Sequence, residues 1–281
     1  MTTIDRDGLV FDVFENGPAD GEPVVLLHGF PQHADSWDAL TPLLTAQGYR
    51  VLAMNQRGYS PGARPRGRRA YRIEELVADV LALIDARGGG GPVHVVGHDW
   101  GAAVAWALTA AHPERVASLT ALSVPHPAAF LTAMLTSVQA LKSWYMFAFQ
   151  LPWLPERLLL INPVRSLIRT GLSPERARRE AAWFPDAKSL RPALHWYRAM
   201  PLVNPRAART PVRRPTLFVW SDGDVAISRQ AAQRCARHVQ GPYTFVTLPG
   251  VSHWIPDQAP TELATLLLPH LRRWPTTSTA S

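Results

Sequence analysis

The chemistry of this 281-residue chain is concentrated at Asp99, which lies in the run Val95-Val96-Gly97-His98-Asp99-Trp100-Gly101. An apolar run precedes it and a small-residue helical pattern follows, which is the context of a nucleophile elbow, Gly-x-nucleophile-x-Gly. Gly97 and Gly101 permit the strained turn and the close packing of helix on strand that such an elbow needs. Here a carboxylate stands where a hydroxyl is more usual. A serine attacking a saturated carbon would leave an ether that water cannot cleave, whereas a carboxylate leaves an alkyl ester whose own carbonyl is open to water. With a reference pKa of about 3.9, an aspartate is already ionised at neutral pH and needs no activating base. The residues therefore point to hydrolysis at an sp3 carbon.

Two further signals follow in the order nucleophile, acid, histidine. Residues 219–227, "VWSDGDVAI", hold Asp222 and Asp224, and residues 248–256, "LPGVSHWIP", hold His253. His253 is suited to take a proton from the water that attacks the Asp99 carbonyl carbon, with an aspartate orienting its ring. Asp224, further past the strand end, is the expected acid, and Asp222 is the fallback. Trp100 opens the following helix, so its backbone N–H is one expected oxyanion donor, and Phe30 in "LLHGFPQ" supplies the second.

These residues need elements to hold them. Six short apolar runs, each closed by a glycine or proline break, recur near 23–29, 49–56, 92–99, 116–124, 216–223 and 243–250. Runs of this kind predict strands covered on both faces. Between them lie helical patterns, as at 73–86, where Leu76, Val77, Val80, Leu81, Leu83 and Ile84 make one stripe with Glu74, Glu75 and Asp79 outside it. The alternation predicts an α/β fold with a mostly parallel central sheet and helices on both faces. It gives way to a helical pattern from about 127 to 211, with start signals such as Ser173 before Pro174. The expected organisation is a core segment 1–126, an inserted helical cap 127–211 over the carboxyl ends of the strands, and a second core segment 212–281. Residues 88–91, all glycine, read as a loop, and 276–281 as a frayed tail.

A hydrophobic content of 47% is that of a globular chain with room for one sizeable core. The formal charge of +7 is almost wholly arginine, densest at 62–72. With no recognition fold and no interleaved aromatics, that run reads as a solvated loop rather than a nucleic-acid surface. The single cysteine, Cys235, excludes a disulfide and a cysteine metal site. Neither metal-ligand spacing nor a nucleotide loop is visible, so no cofactor is expected. The apolar stretch 145–161 is interrupted by Pro152, Pro155, Glu156 and Arg157, which makes it a poor membrane span and a better greasy lid. The first residues show no apolar h-region of a secretory leader. The expectation is a cytoplasmic protein whose partner is a hydrophobic small molecule, with no nucleic acid and no membrane, and with a homodimer left open.

Taken together, "HGFPQ", "NQRGYS", "GHDWGAAVAW", "SVPHPAAF", "WSDGD" and "GVSHWIP" resemble the α/β-hydrolase superfamily, in its epoxide hydrolase and haloalkane dehalogenase branch, where the elbow carries aspartate. The resemblance spans nearly the whole chain. It implies conversion of a hydrophobic epoxide to a vicinal diol through an alkyl-enzyme ester on Asp99. Opening an epoxide makes an alkoxide, a poor leaving group that requires a proton donor, and the family supplies two cap tyrosines. The matching positions are Tyr145, four residues before Phe149, and Tyr197 in "HWYR", where His195 stands in place of the family's frequent asparagine. Leu141, Tyr145 and Phe149 share one helical face, and Leu190, Leu194 and Tyr197 another, which predicts inward placement. A haloalkane dehalogenase using the same triad is the alternative. Trp100 and the cap residues Trp144, Trp153, Trp183 and Trp196 keep it open, whereas Phe30 stands where a halide-gripping asparagine is often found. No arginine follows the nucleophile, which argues against a small anionic substrate. A non-catalytic small-molecule receptor is the second alternative. His28, His98 and His126 read as loop braces, Arg57 and Tyr59 as packing beneath the site, and Pro31 as the place where a cis bond would shape the oxyanion loop.

Overall fold

A hairpin of β1 (Thr2–Arg6) and β2 (Leu9–Asn16) precedes the six expected strands. These are β3 (Pro23–Leu27), β4 (Arg50–Met54), β5 (Val93–His98), β6 (Val116–Leu122), β7 (Thr216–Ser221) and β8 (Tyr243–Leu248). The computed structural model describes residues 1–276, so the expected tail, apart from Thr276, lies outside the described residues. The sequence reading did not anticipate the hairpin. Its signal was nevertheless there, since Asp7-Gly8 between alternating segments is a two-residue turn, and both residues take positive φ, 54° and 78°.

The strands form one sheet in the order β1-β2-β4-β3-β5-β6-β7-β8. Only β2 runs against its neighbours, and every pairing from β4 to β8 is parallel. Alternate residues of each strand serve opposite faces. Val25 and Leu27 pack with Val80 and Val104 of helices Ile73–Arg87 and Trp100–Ala111, while Val24 and Leu26 pack with Leu44, Leu263 and Leu267 on the other side. Cover on both faces is why these strands read as continuous apolar runs. Asp79, expected on the outside of its helix, is instead buried and paired with Arg57 and Arg6 at 2.6 and 2.8 Å. Charge placed it outside the apolar stripe, but two guanidinium groups from distant segments made burial possible.

The strand order reverses between β3 and β5, and the crevice beyond their carboxyl ends is where an open α/β sheet binds ligands. Helix Trp100–Ala111 starts directly over that crevice. A side-chain carbon on Gly101 would collide with the Leu27 carbonyl oxygen, and one on Gly97 with the Gly101 backbone, so both glycines are demanded by close approach.

Between β6 and β7 the described chain forms helices and no strands, and it returns to the sheet side through a parallel bridge from Val212 to Val239. We propose that this insert is the cap expected at 127–211. Four of its helices begin at side-chain caps, at His126, at Asn162, at Ser173, which accepts from the Arg176 N–H, and at Asp186 in a capping box with Ser189. Arg176 ties it to core residues Asp35 and Asp257 at 3.2 and 3.0 Å, and the Trp183 ring stacks on His33 at 4.2 Å. One expected face fails. The segment breaks at Ser143 into helices Gln139–Lys142 and Trp144–Ala148, and the break turns Leu141 outward to 76% exposure while Phe149 stays buried.

Replacing Gly101 by alanine should destabilise the fold by about 3 kcal/mol, because the colliding atoms are backbone and cannot swing aside. Denaturant melts of the variant against the parent check this.

Candidate active site

Asp99 is the residue between β5 and helix Trp100–Ala111, with φ 52° and ψ −118°. A non-glycine residue held there stores on the order of 1–3 kcal/mol of strain, sustained by the surrounding packing. The Asp99 N–H donates to the Leu122 carbonyl at 3.3 Å, and the Ala102 N–H donates back to the Asp99 carbonyl at 3.0 Å. The side chain is thereby raised above the sheet edge. The Phe30 N–H, just past β3, donates to Asp99 Oδ1 at 2.8 Å. Among the described residues this is the backbone donor to the carboxylate; the Trp100 N–H makes no such bond in this geometry. The bond preceding Pro31 is cis.

His253 follows β8 and comes within 3.4 Å of Asp99 Oδ2 through its Nε2. Its Nδ1 lies 2.8 Å from Asp224 Oδ2. The other Asp224 oxygen accepts from the N–H groups of Ala226 and Ile227 at 2.7 and 2.8 Å, which fixes the carboxylate. The structure thus selects between the two aspartates, for Asp222 turns away to accept from the Gly250 N–H at 2.7 Å. His98 and the Ser123 hydroxyl both hold the His253 carbonyl, each at 2.9 Å. His28 braces β3 against Gln56, and His126 caps helix Pro127–Thr136, so the three expected braces are braces. Arg57 is held by Asp79 and Tyr59 is buried, in keeping with packing beneath the site.

Burial alone would strip the charge from both members of the central pair. For His253 the attraction and hydrogen bonds of Asp224 and Asp99 outweigh it and raise the pKa to about 10. For Asp99 burial pushes upward, and the hydrogen bond and charge of His253, with the Phe30 N–H, hold the carboxyl below its usual range. The resting site is therefore an ionised Asp99 beside an imidazolium.

Tyr145 and Tyr197 converge from the insert, with ring centroids 6.1 Å apart, and Tyr197 stands edge-on to Phe30 and Trp100 at 5.3 and 5.1 Å. Burial first, and then the negative charge of Asp99, raise both phenols and keep them protonated. Three residues that sequence reasoning missed hold these tyrosines in place. Gln150 donates to the Tyr197 carbonyl at 2.7 Å. Arg198 makes a buried pair with Glu156 at 2.9 Å and also donates to the Phe149 carbonyl at 3.0 Å, joining the two tyrosine segments. The only sequence sign was a charge beside each aromatic motif, and Glu156 read simply as an interruption of an apolar run. His195 leans on Tyr71 at 5.2 Å rather than facing Asp99.

A cavity of about 490 Å³ opens from Asp99 between core and insert. Asp99, Trp100, Tyr145 and Trp196 line its inner end, and Ala103, Ala107 and Phe130 continue it along apolar walls. Of the four insert tryptophans expected near the site, only Trp196 borders this cavity. Trp183 stacks on His33, and Trp144 and Trp153 are exposed because the break at Ser143 and the left-handed backbone of Trp153 turn that stretch outward.

Residues 22–160 match the family model described as the alpha/beta hydrolase fold. Epoxide hydrolase A of Mycobacterium tuberculosis is 32% identical, over 95% of this chain and 96% of its own. The chain belongs to the epoxide hydrolases of the α/β-hydrolase superfamily. It is a hydrolase. An AB hydrolase superfamily protein of Bacillus subtilis, YfhM, is 35% identical over 96% of both chains. The crystal structure of Epoxide Hydrolase A from Mycobacterium thermoresistibile superposes with a TM-score of 0.85 at 28% identity, covering 98% of this chain and 99% of that one.

The His253 imidazolium should persist to about pH 10. Because this folded value lies above the unfolded reference of about 6.5, its contribution to stability is complete below pH 6.5 and is lost as pH rises through about 10. Imidazole NMR titration checks the value, and Asp224→Asn should move it down.

Proposed function

We propose that the protein hydrolyses a hydrophobic epoxide to a vicinal diol, with Asp99 as nucleophile, His253 as base, Asp224 as its orienting acid, and Tyr145 and Tyr197 as proton donors. The observation that carries this reading is the convergence of an ionised carboxylate and two protonated phenols: Tyr145 lines the cavity with Asp99, and Tyr197 packs beside it against Tyr145, Phe30 and Trp100. A carboxylate below and acids above are what a three-membered cyclic ether needs, since attack at carbon and protonation at oxygen must occur together. A halide needs no proton. Exposure of Trp144 and Trp153 also removes two of the indoles a halide site would use.

In the first half-reaction an Asp99 oxygen bonds to an epoxide carbon, the carbon–oxygen bond of the ring breaks, and a tyrosine gives its proton to the leaving oxygen. The imidazolium proton of His253 then restores that tyrosine through solvent. The alkyl ester so formed carries no charge, so His253 loses one of the two anions that held its proton and becomes a base. In the second half-reaction neutral His253 takes a proton from water, and hydroxide adds to the Asp99 carbonyl carbon. The Phe30 N–H, joined by that of Trp100, holds the resulting oxyanion. Collapse releases the diol, regenerates the carboxylate and leaves His253 protonated again, so the cycle closes in protons. The insert acts as a cap in this scheme, supplying both donors and excluding bulk water.

A single turnover in heavy-oxygen water should place the label in Asp99 and leave the first diol unlabelled; label in that first diol with an unlabelled protein would refute the covalent step. Replacing Tyr145 and Tyr197 together by phenylalanine should lower kcat/KM for an epoxide at least about 1,000-fold. Steady-state assay of styrene oxide alongside a bromoalkane separates the two chemistries, and bromide release without diol formation would reverse the assignment.

A further inference from the structure

The outer face of the insert carries an unusual surface. Leu135, Val138, Leu141, Trp144 and Phe147 recur at every third position across three successive short helices, and all five are exposed, from 50% for Val138 to 88% for Leu135. Further along, Leu151, Leu154, Leu158 and Ile161 continue outward at three- and four-residue spacing. Interleaved with them, Gln139, Ser143 and Phe149 are buried, as is Ala133 just before. Spacing of this kind is the amphipathic pattern of a helical surface with an apolar stripe, and here the stripe faces solvent. Monomeric proteins rarely expose so long a run of large apolar side chains without a partner.

The charges around the stripe say what that partner is. Between residues 127 and 174 the only acidic residue is Glu156, and it is buried against Arg198. Arg157, Arg165 and Arg169 are exposed, and among the described residues none of them makes a salt bridge; Arg157 lies over the Trp153 ring at 5.2 Å. Across this span the exposed side chains are therefore aliphatic, aromatic or neutral, and the exposed charges are all cationic. A second copy related by a two-fold axis would bring these arginines together with no carboxylate to meet them. A nucleic acid would satisfy the arginines but offers nothing for Leu135, Leu141 and Ile161. An anionic phospholipid surface satisfies both, with acyl chains for the stripe and headgroup phosphates for the guanidinium groups.

We propose that the outer face of the insert docks on anionic phospholipid membranes. No helix among the described residues is long and apolar enough to cross a bilayer, and a surface contact requires none. The sequence expectation of no membrane partner rested on the absence of a span, which leaves interfacial contact open. Helix Trp144–Ala148 joins the two faces, with Trp144 and Phe147 outside and Tyr145 in the cavity that holds Asp99. Docking would thus bring that cavity near lipophilic molecules dissolved in the bilayer. This consequence rests on the proposed epoxide chemistry; the docking itself does not.

The test is co-sedimentation of the full chain with vesicles of phosphatidylcholine alone and of phosphatidylcholine mixed with phosphatidylglycerol. Binding to the mixed vesicles, weakened by added salt, is expected, with little binding to the neutral ones. Combining Arg157→Gln, Arg165→Gln and Arg169→Gln should weaken it on the order of 100-fold, at roughly 5-fold per cation. Leu141→Ser, Trp144→Ser and Phe147→Ser together should abolish it while the melting temperature is kept, since these side chains pack against nothing that the fold needs. Failure of the parent chain to bind mixed vesicles overturns the proposal. So does light scattering that shows a dimer which the serine variant converts to monomer, because the stripe would then be a self-interface.

Discussion

The negative charge of Asp99, kept in a place that should neutralise it, is the constraint on which the site depends. A carboxylate out of water normally takes up a proton. Here it stays ionised because one oxygen takes the Phe30 N–H and the other faces an imidazolium. Burial first, and then this same charge, raise the two phenols above it, and with Asp224 it helps hold His253 protonated. The charge of Asp99 thus bears on the protonation of three neighbouring groups.

In the proposed cycle His253 cannot act as a base while Asp99 is charged and can once that charge is spent in an ester. No movement of the ring is required for that change of role. The rigid parts of the structure serve this by keeping distances constant: Asp224 is tied by two backbone N–H groups, and the His253 carbonyl by His98 and Ser123. The insert contributes the phenols and fixes them by a buried ion pair, Arg198 with Glu156, that reaches across both tyrosine segments. Breaking such a pair costs more than the pair adds, because the remaining charge is left buried.

The insert itself has two unlike faces. Helix Trp144–Ala148 shows both: inward, Tyr145 lines the cavity that Trp196 of helix Ala187–Ala199 also borders; outward, Trp144 and Phe147 belong to the exposed apolar stripe. A helix of four or five residues can do both only because it is broken often. Each break, as at Ser143, resets which residues point in.

Much of this was legible in the residues. The six core strands, the elbow at Asp99, the order of acid and histidine, and the helical insert all follow from local patterns, namely continuous apolar runs, glycine spacing and helix caps, whose physical causes act within a few residues. The preference for Asp224 over Asp222 was also readable, from its place further past the strand end, though not the backbone donors at 226 and 227 that hold it. Two things were not legible. The burial of Asp79 and Glu156 depended on arginines far away in the chain. The outward turn of Leu141 and Trp144 depended on a break that helical spacing alone does not reveal. The sequence determined which chemical groups are available and roughly where along the sheet each would emerge. Only the tertiary structure decided which charges meet and which apolar faces remain uncovered, because both are settled by contacts between segments that no short-range pattern records.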